Sequence, residues 1–239
     1  MKQTVRHTRR SVATELSLGM MAAVAAALLL SLSFMYIRSR EIIRKEAVEQ
    51  AGHVLNNTAL LAQNALSEVE TASGNMLWLV NRFHDPDSLL QFSRRMVTLN
   101  PGISGCSITM EPDFYPWMQY GFSAYSVKTG RDVTTVREEE YDYYGKAWYS
   151  TPRRLDSACW VDPYDDYNAG TLSSSDLIAS YCVPLHDGQG RFIGVLATDL
   201  SLNRLNRIIS ARHPYTKSYS MMLGPDGHYF VHPDTTKIL

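Results

Sequence analysis

Hydrophobic and polar residues divide the chain into a long helical part and a later strand-rich part. Residues 16–37 contain no charged side chain, and aliphatic residues fill most of positions 22–30. A helix needs about 20 apolar residues to cross a bilayer, so this run predicts a transmembrane helix. A cleaved signal peptide is the alternative, although the apolar part of such peptides usually has only about 7 to 15 residues.

Small or apolar residues then recur every three or four positions, which is the spacing of one helix face. They are Ala47, Ala51, Val54, Thr58, Leu61, Ala65, Val69, Ala72 and Met76. The pattern predicts a stalk helix over residues 38–82, with no proline before Pro86. Because the spacing is close to a heptad repeat, we expect two copies of the chain to pair through this helix as a homodimer. Packing of the face on the chain's own sheet is the alternative.

The strand-rich part begins after a short helix that we predict over residues 88–98, with Asp87 as its cap. Runs of β-branched and aromatic residues predict five strands. These cover residues 103–110, 121–127, 159–164, 177–184 and 192–199. Asp187-Gly188-Gln189-Gly190 predicts a hairpin turn between the last two strands. A further helix is predicted over residues 201–212, capped by Ser201.

The end of the sequence predicts a single hairpin, with strands over residues 219–223 and 229–232 around the turn at 224–227. One hairpin alone is not stable in water. We therefore expect residues 213–239 to be the start of a second, incomplete sheet.

Composition and charge exclude some functions. With 45% hydrophobic and 20% charged residues the chain is typical of a globular protein, and its net charge of -1 argues against binding nucleic acid. The basic residues Lys2, Arg6, Arg9 and Arg10 precede the apolar run. Because basic residues favour the cytoplasmic side, they predict a cytoplasmic N-terminus and an external position for the residues after the apolar run.

The three cysteines, Cys106, Cys159 and Cys182, permit one disulfide at most. If the segments around Cys159 and Cys182 pair as antiparallel strands, the two sulfur atoms face each other. Three buried free thiols are the alternative.

Motifs for catalysis, metals and cofactors are incomplete. The glycines at 188, 190 and 194 lie between two strands, whereas a dinucleotide loop leads from a strand into a helix. His228 and His232 have no Glu or Cys nearby to complete a metal site. No Gly-x-Ser-x-Gly elbow is present. We therefore expect no catalytic residues, no metal and no cofactor in this chain.

Aromatic residues are concentrated in one stretch: Tyr141, Tyr143, Tyr144, Trp148, Tyr149, Trp160, Tyr164 and Tyr167. Tyrosine and tryptophan suit the binding of small polar or amine ligands through hydrogen bonds and cation-π contacts. A role in packing is the alternative, and composition alone favours neither.

The order of several motifs resembles the double Cache family of bacterial extracytoplasmic sensor domains. The motifs are Tyr144-Gly145-Lys146-Ala147-Trp148-Tyr149, Trp160-Val161-Asp162-Pro163-Tyr164, Ser180-Tyr181-Cys182-Val183-Pro184-Leu185 and Gly194-Val195-Leu196-Ala197-Thr198-Asp199-Leu200. They are similar to the membrane-distal half of such domains. Gly224-Pro225-Asp226-Gly227 and His232-Pro233-Asp234 resemble the start of the membrane-proximal half.

The resemblance implies an α+β fold, in which a PAS-like antiparallel sheet follows a long helix and binds a small molecule outside the cell. In amino-acid-binding relatives an Arg-x-Trp-Tyr pattern holds the ligand carboxylate, while a later Tyr and an Asp receive its amine. The matching residues of this chain are Lys146, Trp148, Tyr149, Tyr164 and Asp199. Lys146 replaces the arginine and loses its bidentate geometry. Thr151 lies where a further acid is often found, which is a second departure from the amino-acid-binding pattern. The ligand that the resemblance implies is an amino acid or an amine.

The expected organisation has five parts: a cytoplasmic N-terminus (1–15), a transmembrane helix (16–37), a stalk (38–82), a membrane-distal sensor domain (83–212) and the start of a membrane-proximal subdomain (213–239). The expected function is small-molecule sensing in the periplasm by a receptor of the inner membrane, with the signal relayed through the stalk. Two alternatives remain. The chain is the regulatory fragment of a membrane-bound Ser/Thr phosphatase or histidine kinase, or it is a structural or adhesion module without a ligand.

Overall fold

A computed structural model of the chain describes residues 12–118, 121–138, 142–164 and 177–238. These residues form two compact units, one up to His53 and one from Val54 onward. The described residues of the first unit all lie in helix α1 (Val12–Val80), which also contributes to the second unit. Among the described residues, α1 is the one helix long and apolar enough to cross a membrane. Its large apolar side chains between Val12 and Ile43 are exposed.

The second unit contains a six-stranded antiparallel sheet. Its strands are β1 (Gly105–Met110), β2 (Phe122–Thr129), β3 (Asp132–Glu138), β4 (Cys159–Tyr164), β5 (Ile178–His186) and β6 (Phe192–Ser201). They lie in the order β3-β2-β1-β6-β5-β4. The remaining elements are α2 (Pro86–Leu99), α3 (Ala147–Leu155), α4 (Leu202–Ser210), the hairpin β7 (Met222–Leu223) and β8 (Tyr229–Val231), and a 3-10 turn (Thr235–Lys237).

Helices cover both faces of the sheet. Successive residues of a strand point to opposite faces, so β6 contributes Leu196 and Leu200 to one core and Val195 and Ala197 to another. The first core is formed with α1 and α2, and the second with α3. The sheet therefore separates the core that packs against α1 and α2 from the core that packs against α3.

Strand β3 and helix α3 are absent from the sequence prediction because their residues carry weak signals. Strand β3 was not predicted, since it is an edge strand with mostly polar residues. Helix α3 was not predicted either, because it contains Pro152 and only nine residues. Its apolar side is nevertheless buried against the sheet, and that packing stabilises a helix that local propensity does not favour.

Helix α2 begins one residue before the predicted cap. The prediction of Asp87 as cap was wrong, because the side chain of Asp85 accepts the hydrogen bond from the Ser88 amide at 2.9 Å. Pro86 then occupies the first turn, where a missing N–H costs nothing. The hairpin turn after β5 is confirmed, with Gly190 at a φ of 78°.

The C-terminal hairpin packs on helix α4. Val231 of β8 is buried in a small cluster with Leu205 and Ile209 of α4. Ser201 caps α4, as predicted, by accepting a hydrogen bond from the Arg204 amide at 3.3 Å. The hairpin is therefore supported by a helix and not by strand pairing alone.

Candidate functional site

Short polar side chains line the α3 face of the sheet along β1. Gly105, Ser107 and Thr109 alternate with the apolar residues that face α1 and α2. Thr109 Oγ1 lies 2.7 Å from the hydroxyl groups of both Ser107 and Ser123. All these side chains are buried. Because the strand order places β1 between β2 and β6, this polar strip runs beside the part of the sheet that α3 covers.

Asp199 stands at one end of this strip, opposite Gly105 in the neighbouring strand. Its side chain is only 3% exposed. Ser180 Oγ donates a hydrogen bond to Asp199 Oδ1 at 2.6 Å, and the hydroxyl of Tyr125 lies 3.5 Å from Oδ2. A Cβ at position 105 would lie 2.4 Å from Oδ2, so glycine is the residue that leaves room for the carboxylate.

Tyr164 is connected to Asp199 through Ser180. The hydroxyl of Tyr164 lies 2.9 Å from Ser180 Oγ. A serine hydroxyl has one proton, and Ser180 donates that proton to the carboxylate, so Tyr164 must be the donor to Ser180. Two of the predicted site residues thus belong to one directed chain of hydrogen bonds.

Burial raises the pKa of the Asp199 carboxyl to about 6, although the hydrogen bonds from Ser180 and Tyr125 oppose the rise. The group is therefore mostly ionised at pH 7. Within the described part of the chain, no lysine, arginine or histidine forms an ion pair with it. Burial of this charge costs free energy, and a cationic group that approaches the carboxylate offsets that cost.

Trp148 and Tyr149 of α3 are buried over the same face, in a cluster that also contains Tyr143, Val195 and Ala197. The rings of Trp148 and Tyr149 are perpendicular, with centroids 5.8 Å apart. Tyr149 Oη is buried and has no hydrogen-bond partner among the described residues. Burial is the main cause that raises the pKa of Tyr149, so its hydroxyl stays protonated and can donate.

Lys146, Tyr144 and Trp160 are not buried in the cluster with Trp148 and Tyr149. Lys146 precedes α3 as its N-cap residue and is exposed. Trp160 packs against the opposite core, where its ring N–H donates to Glu70 Oε1 of α1 at 2.8 Å. Tyr144 is 44% exposed. Tyr141 and Tyr167 lie outside the described residues. The sequence cluster of aromatic residues is thus divided between the two faces of the sheet.

Ser180 and Tyr125 were not among the predicted site residues, although both approach the Asp199 carboxylate. The alternation of small polar and apolar residues in Gly105–Met110 was a usable signal for a polar strip. No local signal pointed to Tyr125, because its approach to Asp199 depends on the pairing of β2 with β1 and of β1 with β6.

A comparison with protein families decides the identity of this fold. Residues 60–207 match the model of the methyl-accepting chemotaxis protein-like family, first PDC sensor domain. The chain belongs to this family. The match covers α1 from residue 60 through most of α4, and therefore all the site residues described above. The resemblance to Cache-type sensor domains is confirmed, and the PDC family is one of sensor domains and not of enzymes.

The chain is also similar to individual known proteins. The chain is 25% identical over 103 residues to the methyl-accepting chemotaxis protein PscA of Pseudomonas syringae pv. tomato, which is 43% of this chain but only 15% of that protein's length. Two solved structures share the fold. The extracellular domain of the histidine kinase soHK1S-Z6 has a TM-score of 0.63 at 22% identity, covering 84% of this chain and 75% of that one. The ligand-binding domain of the Pseudomonas aeruginosa PAO1 amino acid chemoreceptor PctB in complex with L-Gln has a TM-score of 0.58 at 20% identity, covering 79% of this chain and 69% of that one.

Proposed function

We propose that this PDC sensor domain recognises a small molecule with an ammonium group and a carboxylate, as in an amino acid. The observation that supports the proposal most directly is the buried Asp199 carboxylate, which has a polar strip beside it and no basic partner among the described residues. An ammonium group of the ligand compensates this charge. L-Gln, bound by the structurally similar PctB, is a ligand of this class.

The remaining predicted residues have matching roles in this proposal. Trp148 and Tyr149 provide the aromatic wall, and Tyr149 Oη donates to a polar atom of the ligand or to water. Tyr164 orients the Ser180–Asp199 pair. Lys146 attracts the ligand carboxylate as a flexible point charge, since a lysine lacks the planar fork of an arginine.

The proposed relay passes through the sheet. Thr198 and Asp199 are consecutive in β6 and face opposite sides, so Asp199 lies in the site while Thr198 Oγ1 lies 2.9 Å from Ser73 Oγ of α1. If the ligand binds more tightly to one position of β6, it also favours the arrangement of α1 that goes with that position. Binding then shifts the equilibrium between receptor states. We place the domain in the periplasm, anchored in the inner membrane by residues 16–37, and pairing as a homodimer through α1.

The test uses the full chain in detergent with a panel of common L-amino acids, starting with L-glutamine. A ligand of the folded state raises the melting temperature by mass action. For each amino acid that does so, we expect Asp199→Asn and Trp148→Ala to weaken binding roughly tenfold or more, which corresponds to about 1.4 kcal/mol. Asp113→Asn, which changes an exposed carboxylate, is the matched control. A panel without a stabilising member, or unchanged affinity in both site variants, contradicts the proposal.

A further inference from the structure

Two cysteines on neighbouring strands are direct partners across the sheet. Cys159 of β4 is paired with Cys182 of β5, and both belong to the apolar cluster on the α3 face. Directly opposite residues of antiparallel strands point to the same face and have Cα atoms about 4.5 or 5.5 Å apart. Disulfides span Cα distances of about 4.4 to 6.8 Å. Both side chains are free thiols in this structure, and the strand pairing places their Cα atoms in the range that a disulfide requires.

The third cysteine cannot take part. Cys106 of β1 faces the opposite core, with α1 and α2, and its position in β1 pairs with Ser126 and Thr198. The sheet therefore separates Cys106 from the other two thiols and leaves one possible pair.

We propose that Cys159 and Cys182 form a cross-strand disulfide that ties the edge strand β4 to β5. The oxidant is a small or protein disulfide, such as oxidised glutathione, acting by thiol–disulfide exchange. Cys159 is the entry point because its side chain is partly exposed, whereas Cys182 is fully buried.

The exchange has two steps. The Cys159 thiolate attacks one sulfur of the oxidant and releases the other as a thiolate, which takes up a proton. Cys182 Sγ then loses its proton and attacks Cys159 Sγ of the mixed disulfide, and the second oxidant thiol leaves. Two protein thiols become one disulfide, and one oxidant disulfide becomes two thiols. Burial raises the pKa of both protein thiols, so the reaction is slow near neutral pH and faster as pH rises.

The bond has a consequence for the ligand site, and this step rests on the proposed function. Within the sheet of described residues, β4 is an edge strand that pairs with β5 alone, and its last residue is Tyr164. Tyr164 reaches Asp199 through Ser180. A disulfide at the other end of β4 holds residues 159–161 in register with β5. The register shifts between Val161 and Tyr164, so across this irregularity the bond limits how far the Tyr164 hydroxyl moves from Ser180.

Peptide mapping tests the bond without any ligand. The full chain in detergent is incubated with oxidised glutathione, denatured in acid, alkylated with N-ethylmaleimide and digested. Trypsin leaves Cys159 and Cys182 in one peptide, residues 155–191, and Cys106 in another. We expect the first peptide to be unlabelled and lighter by two hydrogen atoms than its reduced form, and Cys106 to be labelled. Chymotrypsin then yields two peptides joined by the bond.

Matched variants distinguish the internal disulfide from a glutathione adduct. Cys106→Ala keeps the bond, whereas Cys182→Ala leaves Cys159 as a mixed disulfide with glutathione, because the second thiol is absent. Reduction should lower the melting temperature of the wild-type chain by about 5 to 10 °C, but not that of Cys159→Ser. Labelling of both cysteines in the oxidised wild-type chain, or glutathione retained on its Cys159, overturns the proposal. Neither result bears on amino acid binding.

Discussion

At the scale of single residues, the surroundings of Asp199 show that its carboxylate belongs to the sheet and does not cap helix α4. An aspartate shortly before a helix can cap it, but Ser201 caps α4. The Asp199 carboxylate instead receives the Ser180 hydroxyl inside the sheet, opposite a glycine that leaves it space. Its charge is therefore available to the α3 face and not to the helix.

The raised pKa of Asp199 predicts a pH dependence of ligand affinity. A cationic group binds the ionised carboxylate. The affinity for L-glutamine is therefore highest above the pKa of Asp199 and falls as the pH drops below that pKa. Below the pKa of about 6, we expect the affinity to fall roughly tenfold per pH unit. The ammonium and carboxylate groups of L-glutamine keep their charges between about pH 5 and 7.

Isothermal titration of the full chain over that pH range measures this effect. Asp199→Asn cannot ionise, so its weaker affinity should be flat across the same range. A wild-type affinity that does not change with pH would show that Asp199 is not the partner of the ammonium group.

At the scale of elements, a buried hydrogen bond links α1 to β6. Ser73 Oγ is 2.8 Å from Val69 O within α1 and 2.9 Å from Thr198 Oγ1 across the interface. We expect Ser73→Ala to lower the free energy of unfolding by about 1 to 3 kcal/mol, because Thr198 Oγ1 loses a buried partner. Chemical denaturation of the full chain followed by tryptophan fluorescence measures the change.

The control for this prediction is Thr98→Ala. Thr98 Oγ1 is also 2.8 Å from the carbonyl oxygen four residues earlier, but this hydrogen bond is exposed and stays within α2. Its removal should change stability by less than about 0.5 kcal/mol. Equal losses in the two variants would show that the bond to Thr198 contributes nothing beyond the helix itself.

At the scale of the whole molecule, the N-terminal charges predict how the chain crosses the membrane. We expect alkaline phosphatase fused after His53 to be active, since this enzyme works only outside the cytoplasm, and green fluorescent protein fused before Met1 to fluoresce inside it. Fusion after His53 keeps the basic residues on both sides of the apolar run. Replacing Arg6, Arg9 and Arg10 with alanine should lower the phosphatase activity. An inactive phosphatase fusion in the unaltered chain reverses the predicted topology.

The sequence by itself determined most of the elements and the family. Apolar runs and helix periodicity predicted α1, because a hydrophobic face repeats along the chain whatever it packs on. Strands β4, β5 and β6 were predicted within a few residues, since β-branched residues and the Asp187–Gly190 turn are local signals. The order of the Trp148, Tyr164 and Asp199 motifs predicted the sensor fold.

Only the tertiary structure decided which of these residues meet. Helix α3 is stabilised because Trp148 and Tyr149 are buried against the sheet. The residues of the helix alone do not indicate that contact. The approach of Tyr125 to Asp199, and the separation of Trp160 from the site, depend on strand order and on which face each residue occupies. Pairing of Cys159 with Cys182 likewise depends on register. Local sequence determines periodicity, whereas a site assembled from several strands depends on long-range pairing that the sequence does not display.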